Sequence, residues 1–211
     1  MNVIYRKARF SLALLCFVFL SSLPLSAQQE KLYHNEDGHF SFEVPEGWDR
    51  VPDEIVRQHE AAIKQATGRD MRYDCVFQKK SDYYLTHPFF QVMIDKKGRY
   101  DEEKMAKDLK TESARKEMNK AKDAVENAAS DYVKSVNFGT FTHDPENHIF
   151  YLKTKVRSPE GENFLSISAI ILSNYGTVRL LFHSKEDDFN QNLAYFEEVI
   201  SSFKFDPDYG Y

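Results

Sequence analysis

Gly38-His39-Phe40-Ser41-Phe42-Glu43-Val44-Pro45-Glu46-Gly47-Trp48-Asp49 is the stretch whose reading decides the fold. Phe40, Phe42 and Val44 alternate with Ser41 and Glu43, so this is a strand with one buried and one wet face. That pattern suits an antiparallel sheet better than a parallel one. Pro45 ends the strand by removing a ladder donor, Gly47 lets the chain turn sharply, and the Pro-x-Gly-Trp corner hands over to a helix. The helix opens at Pro52-Asp53-Glu54, presents Ile55, Val56, His59, Ala62, Ile63 and Ala66 on one face, and stops at Gly68. On the other side, residues 31–34 form a partner strand. Asn35-Glu36-Asp37-Gly38 between the two runs predicts a hairpin, because such a turn needs a residue at positive φ.

Working outward, residues 72–80 and 89–95 read as further strands, with a polar-aromatic loop at 81–87 between them. Residues 101–129 are helical and highly charged. Their thin apolar stripe of Met105, Leu109, Met118, Ala121 and Val125 predicts light packing or an interruption near Thr111-Glu112-Ser113. Strands at 138–142, 149–157, 164–172 and 177–183, joined by short turns, predict an antiparallel meander. A last helix at 187–202 carries Phe189, Leu193, Phe196, Val199 and Ile200 on one face, and 206–211 reads as a loose acidic-aromatic tail. The expected architecture is α+β: one sandwich domain over 28–205 with a central antiparallel sheet flanked by helices.

Residues 1–27 read as a secretory signal peptide. Arg6, Lys7 and Arg9 precede an apolar run at 10–20, and Leu25-Ser26-Ala27 offers a small residue for cleavage. The run is shorter than the ~20 residues of a membrane span, and retention as an anchor is the lesser reading. Cys16 follows Leu15, which does not suit bacterial lipidation. The formal charge of −5 becomes more negative when the three leader cations leave, which disfavours nucleic acid and anionic membrane surfaces as partners. Cys75 is then the one remaining cysteine, so no internal disulfide is expected. Its context, Tyr73-Asp74-Cys75-Val76-Phe77, marks it as a buried small hydrophobe.

The strand and corner Phe40-Ser41-Phe42-Glu43-Val44-Pro45-Glu46-Gly47-Trp48 resembles the opening of the Mog1/PsbP-like superfamily. A meander followed by Phe196-Glu197-Glu198-Val199-Ile200-Ser201-Ser202-Phe203-Lys204-Phe205 is similar to its close. The resemblance implies the α+β sandwich and non-catalytic association with a partner, and it names no activity. The long helical segment at 101–129 departs from the short members, so no binding residues are carried over.

Four groups of residues are candidates for chemistry. Trp48, the only tryptophan, either seals the sheet at the corner or anchors a partner in a groove. Tyr83, Tyr84 and His87 either line a ligand surface or form an ordinary loop over the sheet edge. His34 and His39, and likewise His143 and His148, stand five apart around an acidic turn. Each pair either shares a first-row metal with the turn carboxylates or occupies an exposed strand end for backbone reasons. No Gly-x-Ser-x-Gly elbow or Gly-rich phosphate loop occurs, and no cofactor is implied. The expectation is an exported, non-enzymatic binding or accessory domain, periplasmic or extracellular, acting on an envelope or extracellular protein. The alternatives are a periplasmic metal- or small-ligand-binding protein and, from a third class, a hydrolase.

Overall fold

A computed structural model describes residues 31–68 and 70–211, so the leader at 1–27 and Cys16 lie outside the described residues. The opening hairpin forms where its turn residues require it. β1 (Leu32–Asn35) pairs antiparallel with β2 (Phe40–Glu43), Asn35 lying opposite Phe40. The Asn35 side-chain oxygen accepts the Gly38 N–H at 2.7 Å. The positive φ falls on His39 (53°) rather than on Gly38. Gly38 is needed instead for close approach, since a Cβ there would press on the Phe40 ring and lie 2.8 Å from Ile94 Cδ1.

At the corner, Gly47 takes φ 76° and the Trp48 N–H closes the turn on the Pro45 carbonyl at 3.1 Å. The chain does not pass directly into a helix, as the sequence suggests. A three-residue strand, β3 (Trp48–Arg50), comes first and pairs with β4 (Cys75–Lys79), Trp48 opposite Lys79. The corner is thus the crossover between two sheets, and it delivers Trp48 into the core between them. Helix α1 (Asp53–Thr67) follows and is capped by Gly68 in the left-handed region.

The larger sheet has seven strands in the order β3-β4-β5-β9-β8-β7-β6. Its remaining members are β5 (Phe89–Asp95), β6 (Ser135–Asp144), β7 (Ile149–Arg157), β8 (Asn163–Leu172) and β9 (Thr177–Lys185). β6 to β9 form the expected meander, and β9 closes on β5 with Phe182 opposite Phe90. The smaller sheet is β1-β2-β10, where β10 (Lys204–Phe205) brings the chain end back beside β2. Between the sheets, and beneath α4 (Phe189–Ser202), lies the main core of Phe40, Phe42, Trp48, Phe77, Phe90 and Phe182 with their aliphatic neighbours. Cys75 is 1 % exposed within it, and burial pushes its thiol up to about 12.

The opposite face of the large sheet is covered in two patches. α1 packs over Val51, Val76 and Phe89, while α2 (Glu102–Asp108) packs over Phe150, Ile170 and Leu172. The charged segment breaks where expected: the Thr111 hydroxyl accepts the Ala114 N–H at 3.2 Å and starts α3 (Glu112–Ala128), which buries none of its residues fully.

The tail is a correction. Residues 206–211 are tied down, not loose. The Asp206 N–H donates to the His39 carbonyl at 2.8 Å, Gly210 bridges Ser173, and the Tyr211 hydroxyl donates to the Tyr100 carbonyl at 2.9 Å. Aromatic rings among the tail residues give it apolar area to bury, which the acidic composition conceals.

Candidate functional site

Trp48 is fully buried against Phe90, Phe182 and Tyr195, with ring centroids 5.5 to 6.3 Å away. This removes it from the surface a partner could touch, and its role is to join β3 to the core. The Tyr83, Tyr84 and His87 group is also divided. Tyr83 and Tyr84 are 75 % and 54 % exposed. His87 turns inward and stacks on Phe164 at 4.7 Å, where burial lowers its pKa. Gln78 sets this split, for its side chain donates to the Tyr83 carbonyl at 2.8 Å and accepts the Leu85 N–H at 2.5 Å.

The two histidine motifs occupy equivalent hairpins. In each, the first histidine sits one residue before the strand end, an Asn or Asp side chain ties the turn, and the second histidine re-enters at positive φ: His39 at 53°, His148 at 56°. Histidine is among the residues that tolerate this conformation, so the repeated spacing has a backbone cause. The hydrogen bonds of Asp144 go to the turn and not to an imidazole, though His143 is close enough to act on its charge. Asp144 accepts from Asn147 Nδ2 at 2.8 Å and from the Glu146 and Asn147 backbone, and these bonds hold its carboxyl below the ordinary range.

Each imidazole pair faces a carboxylate from a distant segment instead. Glu102, the first residue of α2, meets His143 Nε2 at 2.7 Å and His148 Nδ1 at 2.8 Å. Burial raises the Glu102 pKa, but the two histidine hydrogen bonds outweigh it, and the net direction is down. Asp206 lies 3.8 Å from both His34 Nδ1 and His39 Nδ1. Among the described residues no group of three or more His, Cys, Asp or Glu is placed to hold a metal ion. At Glu102 the facing imidazole nitrogens bond directly to the carboxylate oxygens, which is an arrangement for latching α2 to the β6–β7 turn.

A buried polar chain on the large sheet is not anticipated from motifs. Ser166 Oγ lies 2.7 Å from His183 Nδ1, and His183 Nε2 lies 3.1 Å from Gln91 Oε1. Gln91 Oε1 can only accept, so Nε2 carries the proton and Nδ1 accepts from Ser166. Burial, with His87 and His59 nearby, lowers the His183 pKa to about 3. The imidazole is therefore neutral, and Ser166 is only 5 % exposed.

A large opening lies elsewhere among the described residues. A cavity of 970 Å³ lies between α4, β7 and β8 of the large sheet, and the returning segment 203–211. Ile149, Tyr151, Ile167, Leu193, Phe196 and Ile200 form its apolar wall. Its rim carries Glu146, Glu197, Asp206 and Asp208 against a single lysine, Lys204. Its volume is within the range of natural ligand sites, and apolar walls with a few polar rim groups are their usual composition. None of the sequence candidates for ligand binding lines it, although His148 from the metal candidates does. The apolar faces of α4 and β8 were readable separately, but their separation by the returning tail was not.

No family model matches the chain, and no curated protein matches it. Among solved structures it is similar to the solution structure of cyanobacterial PsbP (CyanoP) from Synechocystis sp. PCC 6803. Identity is 16 %, the match covers 82 % of this chain and 91 % of that one, and the TM-score is 0.52. Among the described residues no helix is long and apolar enough to cross a membrane. With antiparallel sheets, flanking helices and this structural likeness, the chain has a PsbP-like fold.

Proposed function

We infer that the protein is an exported, non-catalytic binding or accessory domain that engages a protein partner through the cavity beneath α4. The cavity carries this reading: it is large, apolar and open at an acidic rim. Export is supported by the basic and apolar leader sequence. The neutral, Gln91-tethered His183 beside a buried Ser166 supports a structural role for the Ser–His contact.

Photo-cross-linking in intact cells of the source organism tests the reading. Ser201→p-benzoyl-phenylalanine places the reactive group at the cavity rim, and Lys116→p-benzoyl-phenylalanine places it on the exposed face of α3. Protein adducts are expected from the rim position alone. Adducts from neither position, or from α3 alone, would overturn the assignment. N-terminal sequencing of the envelope-fraction protein is expected to begin at Gln28.

A further inference from the structure

The cavity has a property beyond its apolar wall: one of its sides is an open strand edge. Lys204 and Phe205 of β10 line it together with the flanking Phe203 and Asp206, and β10 is the last strand of its sheet, with β2 on its inner side. Pairing with β2 uses alternate backbone groups, as the Asp206 N–H to His39 carbonyl bond shows. The outward groups at this edge are the Phe203 carbonyl and the Phe205 N–H and carbonyl, since the Phe203 N–H donates to the Ile200 carbonyl at 3.2 Å; these are where an added strand would bond. An added strand would project every second side chain toward the apolar wall. At the meander end of the large sheet the edge strand is β6. It is interrupted by a register shift between Phe138 and Phe141, and α3 lies against it.

Charge selects the occupant. Glu146, Glu197 and Asp208 are exposed at the rim, and Asp206 is partly buried beside them. Lys204 is the one lysine or arginine among the lining residues to offset them. A neutral apolar segment gains nothing from that rim, and an acidic one is repelled by it. We propose that the cavity takes an extended peptide that adds as a strand to β10, its apolar side chains on the Ile167–Phe196 wall and its Lys or Arg side chains on the acidic rim. This rests on the cavity being the association site and adds the chemistry of the partner.

The test uses the domain without its leader and labelled synthetic peptides about ten residues long, a length that spans a strand and both flanks. Fluorescence anisotropy compares four probes: alternating Leu and Lys, the same with Glu for Lys, the same with Ser for Lys, and the Leu–Lys peptide N-methylated at alternate amides. The Leu–Lys peptide is expected to bind saturably, and the Glu and Ser forms at least about tenfold more weakly. The N-methylated peptide keeps its charge and loses its strand pairing, so it is expected to lose binding. Glu146→Lys together with Glu197→Lys should weaken the Leu–Lys peptide by about tenfold at low salt and by less at about 0.5 M salt. Equal binding of the N-methylated peptide would overturn strand addition, and equal binding of the Glu peptide would overturn the charge assignment. If no peptide binds while Ser201→p-benzoyl-phenylalanine still yields adducts, the partner chemistry is wrong and the association site stands.

Discussion

The His183 chain makes a quantitative claim about acid stability. His183 is neutral in the folded protein with a pKa near 3, chiefly through burial. In the unfolded chain its pKa returns to the ordinary value near 6.5. Between those values the unfolded state binds a proton that the folded state does not, so stability falls as pH falls, by about 1.4 kcal/mol per unit. From about pH 7.5 to about pH 4.5 the loss attributable to this one group is about 2.5 kcal/mol. His183→Gln preserves the connection, because an amide can accept from Ser166 and donate to Gln91, and it removes the titration. Urea unfolding of both proteins across that range measures the difference. His59 and His87 also have lowered values and act in the same direction, while burial raises Asp74 and acts in the other. Those contributions are common to both proteins and cancel in the comparison. The variant is expected to start with a pH-independent deficit, from lost stacking on Phe89, and to lose less stability on acidification. Parallel curves for the two proteins would refute the neutral imidazole.

Trp48→Ala is expected to cost about 3–5 kcal/mol in equilibrium unfolding, because a fully buried indole leaves a cavity between the sheets; a cost below about 1 kcal/mol would contradict its place in the core. Native Cys75 should resist Ellman's reagent and react only as fast as the domain unfolds, given its burial and raised pKa. Thr111→Ala removes the α3 cap and should cost about 1 kcal/mol, seen as roughly fivefold faster amide exchange in the first turn of α3. Because α3 buries no residue fully, the exchange of core amides in β5 and β9 should be unchanged.

What the residues foretold follows from the range of the forces involved. Alternation in Phe40-Ser41-Phe42, the turn at 35–39 and the Thr111 break are local, and each has its own side-chain cause. β3 is three residues long, too short to show a period, so the corner at Pro45 reads as a strand running into a helix. β10 is two residues long and pairs with a strand at the other end of the chain, so nothing near Phe205 announces a second sheet. The same remoteness hid the cavity, whose walls come from β7, β8, α4 and the tail. The histidine spacing was visible, but its partners Glu102 and Asp206 lie far away in sequence. Ser166 and Ser168 share a face by alternation alone, and only the register puts His183 on that face opposite Ser166.

The pairing of β5 with β9 and of β2 with β10 has a consequence for how the molecule is made. Neither sheet can be completed until its last strand has been synthesised, and in the smaller sheet that strand lies at residues 204–205. A chain emerging N-terminus first from a ribosome therefore carries a β5 unpaired on its β9 side until residues 177–185 have followed, and an incomplete smaller sheet until residues 204–205 have. Such late, long-range closure makes for slow folding. It also leaves β5, rich in apolar residues, as the segment most in need of a chaperone until β9 arrives.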